Sequence, residues 1–305
     1  MKWTIVGAGA IGGYLGARLQ AAGLPVSFIV RQRRRRQLAA RGLRVESPGG
    51  SLSLIPSLCS PDSPPPETDI ALLAVKGQSL PDILPWLDRL PATSFILPFL
   101  NGVEHIPPLR ERYGQRVLGG VAYIEVTLNQ DGDVVHPTAM EQFLVGAWSS
   151  DAETVLQNLS QDFGLAGLNH RIVPQIGREL WMKYLFLDSF SLLTATTGLP
   201  IGDILQYPVC HQLARTLIAE ALRVGRHEQP DLADDAADRI YQRLCAAPAA
   251  MTSSMARDKS KGLPLEADHL QGGLIRLAEQ HRVAVPAHQA LFATLAPHLK
   301  GRPQP

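Results

Sequence analysis

Gly7, Gly9 and Gly12 stand in the run Val6-Gly7-Ala8-Gly9-Ala10-Ile11-Gly12-Gly13. Glycines at this spacing do chemistry through their backbone. The first permits a tight turn, the second lets N–H groups approach a pyrophosphate, and the third lets a helix pack closely on a strand. Gly7, Ala8, Gly9, Ala10, Ile11 and Gly12 are therefore the expected phosphate cradle, with the positive end of the following helix facing the phosphates. Nineteen residues beyond Gly12 stands Arg31, where an acid is usual. An acid there accepts hydrogen bonds from the ribose 2′-hydroxyl of NAD; an arginine accepts nothing, but its guanidinium pairs with a 2′-phosphate. Arg31 thus points to NADP, through a charge-assisted contact worth about 1.5–3 kcal/mol. Arg33, Arg34, Arg35 and Arg36 follow and read individually as the solvated first turn of a helix.

Lys183 is the second residue placed for chemistry. It lies in Glu179-Leu180-Trp181-Met182-Lys183-Tyr184-Leu185-Phe186-Leu187-Asp188, crowded by apolar neighbours on both sides. Spacing leaves two readings open. The lysine either packs its stem on the apolar stripe and keeps its amine wet, or is a desolvated acid that gives a proton to an oxygen as a hydride reaches the adjacent carbon. Other residues are equally two-sided by spacing alone. Ser253 and Ser254 read as a helix cap or as ligand contacts. Glu266, two residues after Pro264, suits the dipole of a helix start, a role it can hold beside a functional one. Asn101-Gly102 alone is a common turn pair.

The elements that must carry these residues divide the chain. Lys2–Val6 reads as a buried strand, Tyr14–Ala22 as a helix ended by Gly23, and Pro25–Val30 as a second strand. A helix around Gln37–Arg41 and extended pieces at Leu43–Val45 and Leu52–Leu54 follow. A loop holding Pro56, Pro61, Pro64, Pro65 and Pro66 is too proline-rich for regular structure. Asp69–Val75 and Ser94–Leu100 are apolar strands that deliver Lys76 and Asn101. Alternating strands and helices predict an open, doubly wound parallel sheet of Rossmann type, whose ligands bind outside the carboxyl ends of the strands. Gly7, Arg31, Lys76 and Asn101 are then expected on one rim. Strand pieces with a hairpin turn at Asp131-Gly132 occupy Val117–Trp148, and a helix over Asp151–Phe163 and a strand near Asn169–Val173 close a first domain, residues 1–173. From 174 to 305 the pattern predicts an all-helical second domain, with helices near Gln175–Leu193, Val209–His227, Ala233–Cys245, Glu266–His281 and Ala287–Leu299. The cleft between two such domains is the default place for chemistry.

At 305 residues, 45% hydrophobic and 19% charged, the chain reads as an ordinary two-domain soluble protein. A net charge of +1 argues against nucleic acid as a partner. The three cysteines are far apart and form no CxxC, so neither a disulfide framework nor a metal site is expected. Of nine histidines none has ligand spacing; His281 and His288, the nearest to it, are expected on the surface. The absence of an apolar run long enough to span a membrane, and of room for a signal peptide, predicts a cytoplasmic protein without a membrane partner. Homodimerisation is left open.

Gly7-Ala8-Gly9-Ala10-Ile11-Gly12, Arg31, Val75-Lys76, Asn101-Gly102-Val103, Glu179-x-Trp181-x-Lys183, and Ser253-Ser254-Met255-x-x-Asp258 with Gly262, Glu266 and Asp268 occur in one order. Together they resemble the ketopantoate reductases (2-dehydropantoate 2-reductases), which make pantoate for coenzyme A, over the chain to about residue 275. The resemblance implies an NADP-dependent reduction of the C2 ketone of ketopantoate to (R)-pantoate. It implies that Gly7–Gly12 hold the pyrophosphate, Arg31 the 2′-phosphate, and that Lys76 and Asn101 reach the nicotinamide end. It implies that Lys183 protonates the C2 alkoxide, that Asn101, Lys183, Ser191 and Ser254 touch the keto acid, and that Glu266 contacts the cofactor. The chain departs from the family where asparagines are common four and eight residues after the lysine, having Leu187 and Ser191, and again at Ile201. The family glutamine three residues after the first lysine is Ser79. Residues i, i+4 and i+8 share one helix face, so the face of Lys183 has lost an amide. Two alternatives follow: a reductase of another 2-keto acid or small ketone, or a non-catalytic NADP(H)-binding regulator.

Overall fold

The computed structural model describes residues 1–62 and 67–302; the prolines at 64–66 lie outside the described residues. Two compact units divide the chain: Met1–Leu100 with Ile106–Ile176, and Asn101–His105 with Gly177–Pro305. These units differ in two ways from the expected single cut between 173 and 174. The first unit runs three residues further, and Asn101–His105 leaves it to join the second, where side chains of that unit hold it.

The first unit is built on β1 (Trp3–Val6), α1 (Ala10–Ala21), β2 (Val26–Ile29), α2 (Gln32–Arg41), β3 (Leu43–Glu46), β4 (Leu52–Leu54), β5 (Ser57–Cys59), β6 (Ile70–Leu73), α3 (Leu80–Leu87) and β7 (Phe95–Pro98). It continues through α4 (Ile106–Tyr113), β8 (Gly119–Ile124), β9 (Thr127–Leu128), β10 (Val134–Val135), β11 (Glu141–Gly146), α5 (Glu153–Leu165) and β12 (His170–Ile172). Five strands form a parallel sheet in the order β5-β2-β1-β6-β7. The order in which the chain lays down its strands reverses beside β1, and a ligand crevice opens at such a point. Register aligns the strand ends, with Val6 opposite both Ile29 and Leu73. The exits of β1, β2 and β6 therefore bring Gly7, Arg31 and Lys76 to the same edge.

β1 and β6 are buried along their whole length, as strands covered on both faces must be. Trp3 stacks on Phe163 with ring centroids 5.6 Å apart, and its indole N–H donates to Asp162 at 2.7 Å. Two smaller sheets complete the unit, β4-β3-β10-β9 and β12-β11-β8. The Asp131-Gly132 turn joins β9 to β10 as an antiparallel pair. One expectation fails at β5. Ser57–Cys59, assigned to irregular loop, pairs with β2 as an edge strand, and Pro56 just ahead of it removes no ladder hydrogen bond there. α2 begins at Gln32, ahead of the Gln37 expected, and takes Arg33–Arg36 into its first turns, where the basic run was read.

The second unit holds α6 from Gly177 onward (the helix spans Ile176–Thr197), α7 (Ile201–Ile204), α8 (Pro208–Glu228), α9 (Ala236–Cys245) and α10 (Ser254–Ser260). A π-helical turn over Asp268–Gly272 leads into α11 (Gly273–Gln280), and α12 (Pro286–Leu295) follows. No strand occurs among its described residues. α8 packs against α9, α11 and α12, and Leu185, Leu192, Leu217, Ala221 and Leu274 are buried among these helices. Among the described residues no helix is long and apolar enough to cross a membrane.

Candidate active site

In the first unit the glycine turn is dictated by backbone. Gly7 has φ +96°, and a Cβ there would lie 2.8 Å from the Ala74 carbonyl oxygen. A Cβ on Gly12 would lie 2.0 Å from the Gly7 carbonyl oxygen. Gly9 differs: a Cβ would meet nothing nearer than 4.0 Å. Its smallness leaves open the face where N–H groups at the start of α1 point. That start has no side-chain cap and no acid in its first turn, so it keeps the positive potential an anion would meet. This cradle fits the pyrophosphate of a dinucleotide.

The arginines around the turn do different things. Arg31 caps α2 and is mostly exposed; its Nη2 donates to Asp82 Oδ2 at 2.9 Å and to Ser79 Oγ at 3.0 Å. Arg34 is not the solvated residue its neighbours are. It is half-buried, with Nε donating to the Ala8 carbonyl at 2.8 Å and Nη1 donating to Gln37 Oε1 and the Gly132 carbonyl, both at 2.7 Å. Burial lowers its pKa, with Asp133 opposing. Arg34 therefore braces the glycine turn, while Arg33, Arg35 and Arg36 are exposed as expected. Lys76, exposed at the exit of β6, caps the single 3-10 turn Gly77–Ser79.

In the second unit Lys183 sits half-buried in α6 and donates from Nζ to Asn101 Oδ1 at 3.0 Å. Lysine only donates, so the contact fixes the amide: Oδ1 faces the ammonium and Nδ2 remains a donor. Burial first, and Arg243 second, push the Lys183 pKa down to about 8, with Glu266 pulling the other way. Asn101 is itself held. The His269 Nε2–H donates to its carbonyl at 2.9 Å, and Gly102, at φ +83°, leaves room that a Cβ would take to within 3.1 Å of Leu270. Glu104 accepts both Nε and Nη2 of Arg276, at 2.5 and 2.9 Å. Burial alone would raise the Glu104 pKa, but His269 and Arg276 outweigh it and hold it at about 2. His105, buried beside His269 with centroids 5.7 Å apart, is kept neutral, its pKa pushed down to about 3 by burial, His269 and Lys183.

The serines separate. Ser253 is the helix cap: its Oγ accepts from the Ala256 N–H at 3.0 Å and from the Thr194 hydroxyl at 2.8 Å. Ser254, the first residue of α10, is exposed. Ser191, expected at the substrate, is engaged inside the helices. It is buried, donates to the Asp188 carbonyl at 3.1 Å and accepts from Gln271 Nε2 at 3.1 Å. Leu187 is half-buried and Ile201 is buried.

A polar centre that the spacing of residues did not reveal lies behind that serine. His288, expected on the surface, is wholly buried between two carboxylates, Nε2 at 2.6 Å from Asp188 Oδ2 and Nδ1 at 2.7 Å from Glu220 Oε2. Burial lowers its pKa, but Asp188 and Glu220 outweigh burial and raise it to about 9. The backbone N–H groups of Ala287 and His288 also donate to Glu220, each at 3.1 Å. His281 is half-buried as well, paired with Glu228 at 2.5 Å. Asp188 and Glu220, acids inside apolar helical stretches, are the readable trace of this centre. Glu104, His269 and Arg276 leave none, because the Glu104–Arg276 pair spans 172 residues.

Two models of one family cover most of the chain: Ketopantoate reductase PanE/ApbA matches residues 3–150, and its C-terminal counterpart matches 175–298. A Bacillus subtilis protein called uncharacterized oxidoreductase YkpB is 33% identical over 97% of this chain and 98% of its own. A 2-dehydropantoate 2-reductase of Caulobacter vibrioides is 28% identical over 96% and 97%. The crystal structure of a PanE/ApbA family ketopantoate reductase from Ralstonia eutropha superposes with a TM-score of 0.88 at 28% identity, covering 98% of both chains. A D-mandelate dehydrogenase solved with NADH and anilino(oxo)acetate shares the fold, with a TM-score of 0.88 at 19% identity. Matched in both of its units, the chain is an oxidoreductase of the ketopantoate reductase family.

Proposed function

We propose that this protein reduces the C2 ketone of ketopantoate to (R)-pantoate with NADPH, and that Lys183 is its acid. The observation that carries the reading is the Lys183–Asn101 contact at 3.0 Å, with a lysine pKa brought down to about 8. A bound reduced nicotinamide supplies the hydride. As the hydride reaches C2, negative charge develops on the ketone oxygen, and a desolvated ammonium stabilises that charge and then donates its proton. With a pKa near 8, Lys183 is still protonated at neutral pH yet a far better proton donor than an exposed lysine. Asn101 holds the ammonium by Oδ1 and keeps Nδ2 to donate to the keto acid or the nicotinamide amide. Gly7–Gly12 take the pyrophosphate, Arg34 keeps the turn in shape, and Arg31 is the residue suited to a 2′-phosphate. Lys76, Ser254 and Glu266 complete the proposed set of contacts; Ser191, buried and engaged, leaves it.

A second substrate reading rests on Leu187 and Ile201, apolar where the family commonly has asparagines. A site stripped of buried amides loses about 1–3 kcal/mol per missing partner toward a polar substrate, which favours a more apolar 2-keto acid. Following NADPH absorbance with ketopantoate and a panel of 2-keto acids separates the two readings. Highest kcat/KM on ketopantoate supports the first, highest kcat/KM on an apolar keto acid supports the second, and no turnover of any removes both.

A further inference from the structure

On the reading that the glycine turn binds a dinucleotide, we propose that Asp82 narrows the preference for NADPH over NADH by competing with a ribose 2′-phosphate for Arg31. Arg31 stands two residues past the end of β2, the position from which dinucleotide-binding sheets read the ribose 2′ substituent. The acid usual at that position is missing, but an acid reaches the same guanidinium from elsewhere. Asp82 lies in the first turn of α3. Its Oδ2 accepts from Arg31 Nη2 at 2.9 Å, and Ser79, just ahead of that helix, accepts from the same nitrogen at 3.0 Å. The short Ser79 side chain and the Asp82 carboxylate thus share one guanidinium nitrogen.

The two possible 2′ groups meet this trio differently. A hydroxyl donates to the Asp82 carboxylate and accepts from Arg31 at once, leaving the ion pair whole. A phosphate dianion has no proton to give the carboxylate. It must take guanidinium N–H groups for itself and stand beside Asp82 as a like charge. Both Arg31 and Asp82 are largely exposed, 73% and 72%, so their pair is weak and yields. The repulsion remains, screened by water but not abolished. The exposed Arg33, Arg35 and Arg36 supply a positive field that keeps NADPH acceptable. The native protein accordingly binds both nucleotides, with a modest preference that Asp82 narrows.

Asp82→Asn keeps the size and the hydrogen-bonding oxygen and removes the charge. Dissociation constants of NADPH and NADH, read from nicotinamide fluorescence on the full chain, test the proposal. At low salt Asp82→Asn should tighten NADPH by about threefold to tenfold and leave NADH within about twofold. The gain should shrink in about 0.5 M salt, where exposed charges are screened. A preference for NADPH (the Kd of NADH divided by the Kd of NADPH) that is unchanged or smaller in Asp82→Asn, with both nucleotides binding the native protein, overturns the role of Asp82 alone. A native protein that binds neither overturns the dinucleotide reading and this role with it.

Discussion

Gly7–Gly12 shape the phosphate turn from six consecutive backbone units, whereas Lys183 depends on an amide 82 residues earlier in the chain and on charges at Arg243 and Glu266. The first kind of site works through what is missing. Without a Cβ at Gly7 and Gly12 the chain can fold back on itself, and the N–H groups at the start of α1 are left to an anion. The second works through what surrounds it. Burial and a neighbouring guanidinium disfavour the charge of an ordinary lysine and lower its pKa. Local geometry is therefore robust to distant change and intolerant of substitution in place, and the lysine neighbourhood is the reverse.

The sharpest break of that contrast is expected at a residue that belongs to neither set, His288. His288→Gln leaves the Asp188 and Glu220 carboxylates buried without the cation between them. Uncompensated buried charge of this kind costs about 3–5 kcal/mol, which chemical denaturation would read as a lower midpoint. The pH dependence gives a second signature. The folded pKa of His288, about 9, lies above the ordinary 6.5, so its stabilisation is complete below about pH 6.5 and disappears as pH rises through about 9. Native stability should fall across that window more steeply than that of His288→Gln. Parallel curves would leave the histidine without its assigned charge.

Gly12→Ala probes the other side with a smaller effect. The added methyl lies 2.0 Å from the Gly7 carbonyl oxygen, so the turn must open, at about 1–3 kcal/mol. NADPH should bind about tenfold to a hundredfold more weakly while the Lys183 neighbourhood is unaffected. Unchanged NADPH affinity in a folded Gly12→Ala protein would separate the glycine turn from the nucleotide.

The same contrast explains what could be read from residues alone. The strand, the glycine turn and the helix after it are neighbours in sequence, and hydrophobic periodicity with turn chemistry carries them. The parallel sheet follows from the same alternation, and the helical second unit from amphipathic spacing. β5 escaped because proline-rich flanks hide a short edge strand. His288 escaped because a histidine buried between two acids has the same local pattern as one at the surface; only the packing of α6, α8 and α12 distinguishes them. The partners of Ser191 are hidden for a related reason. Helix spacing puts it near the face of Lys183, but Gln271, 80 residues on, claims its hydroxyl. Arg34 and Asp82 show the limit even within the first unit. One arginine of a basic run turns inward to the Ala8 carbonyl, and one acid of a distant helix reaches Arg31, and neither choice is written in spacing.

The role of Lys183 is tested most directly by kcat/KM for NADPH-dependent reduction of ketopantoate, measured from about pH 6 to 10 in the native and Lys183→Ala proteins. An acid of pKa about 8 is lost on the alkaline side, so the native profile should be flat below about pH 8 and fall tenfold per unit above it. Lys183→Ala should be lower by about two to four orders of magnitude at neutral pH and should lack that alkaline limb. A Lys183→Ala protein with near-native turnover and the same limb would contradict the account.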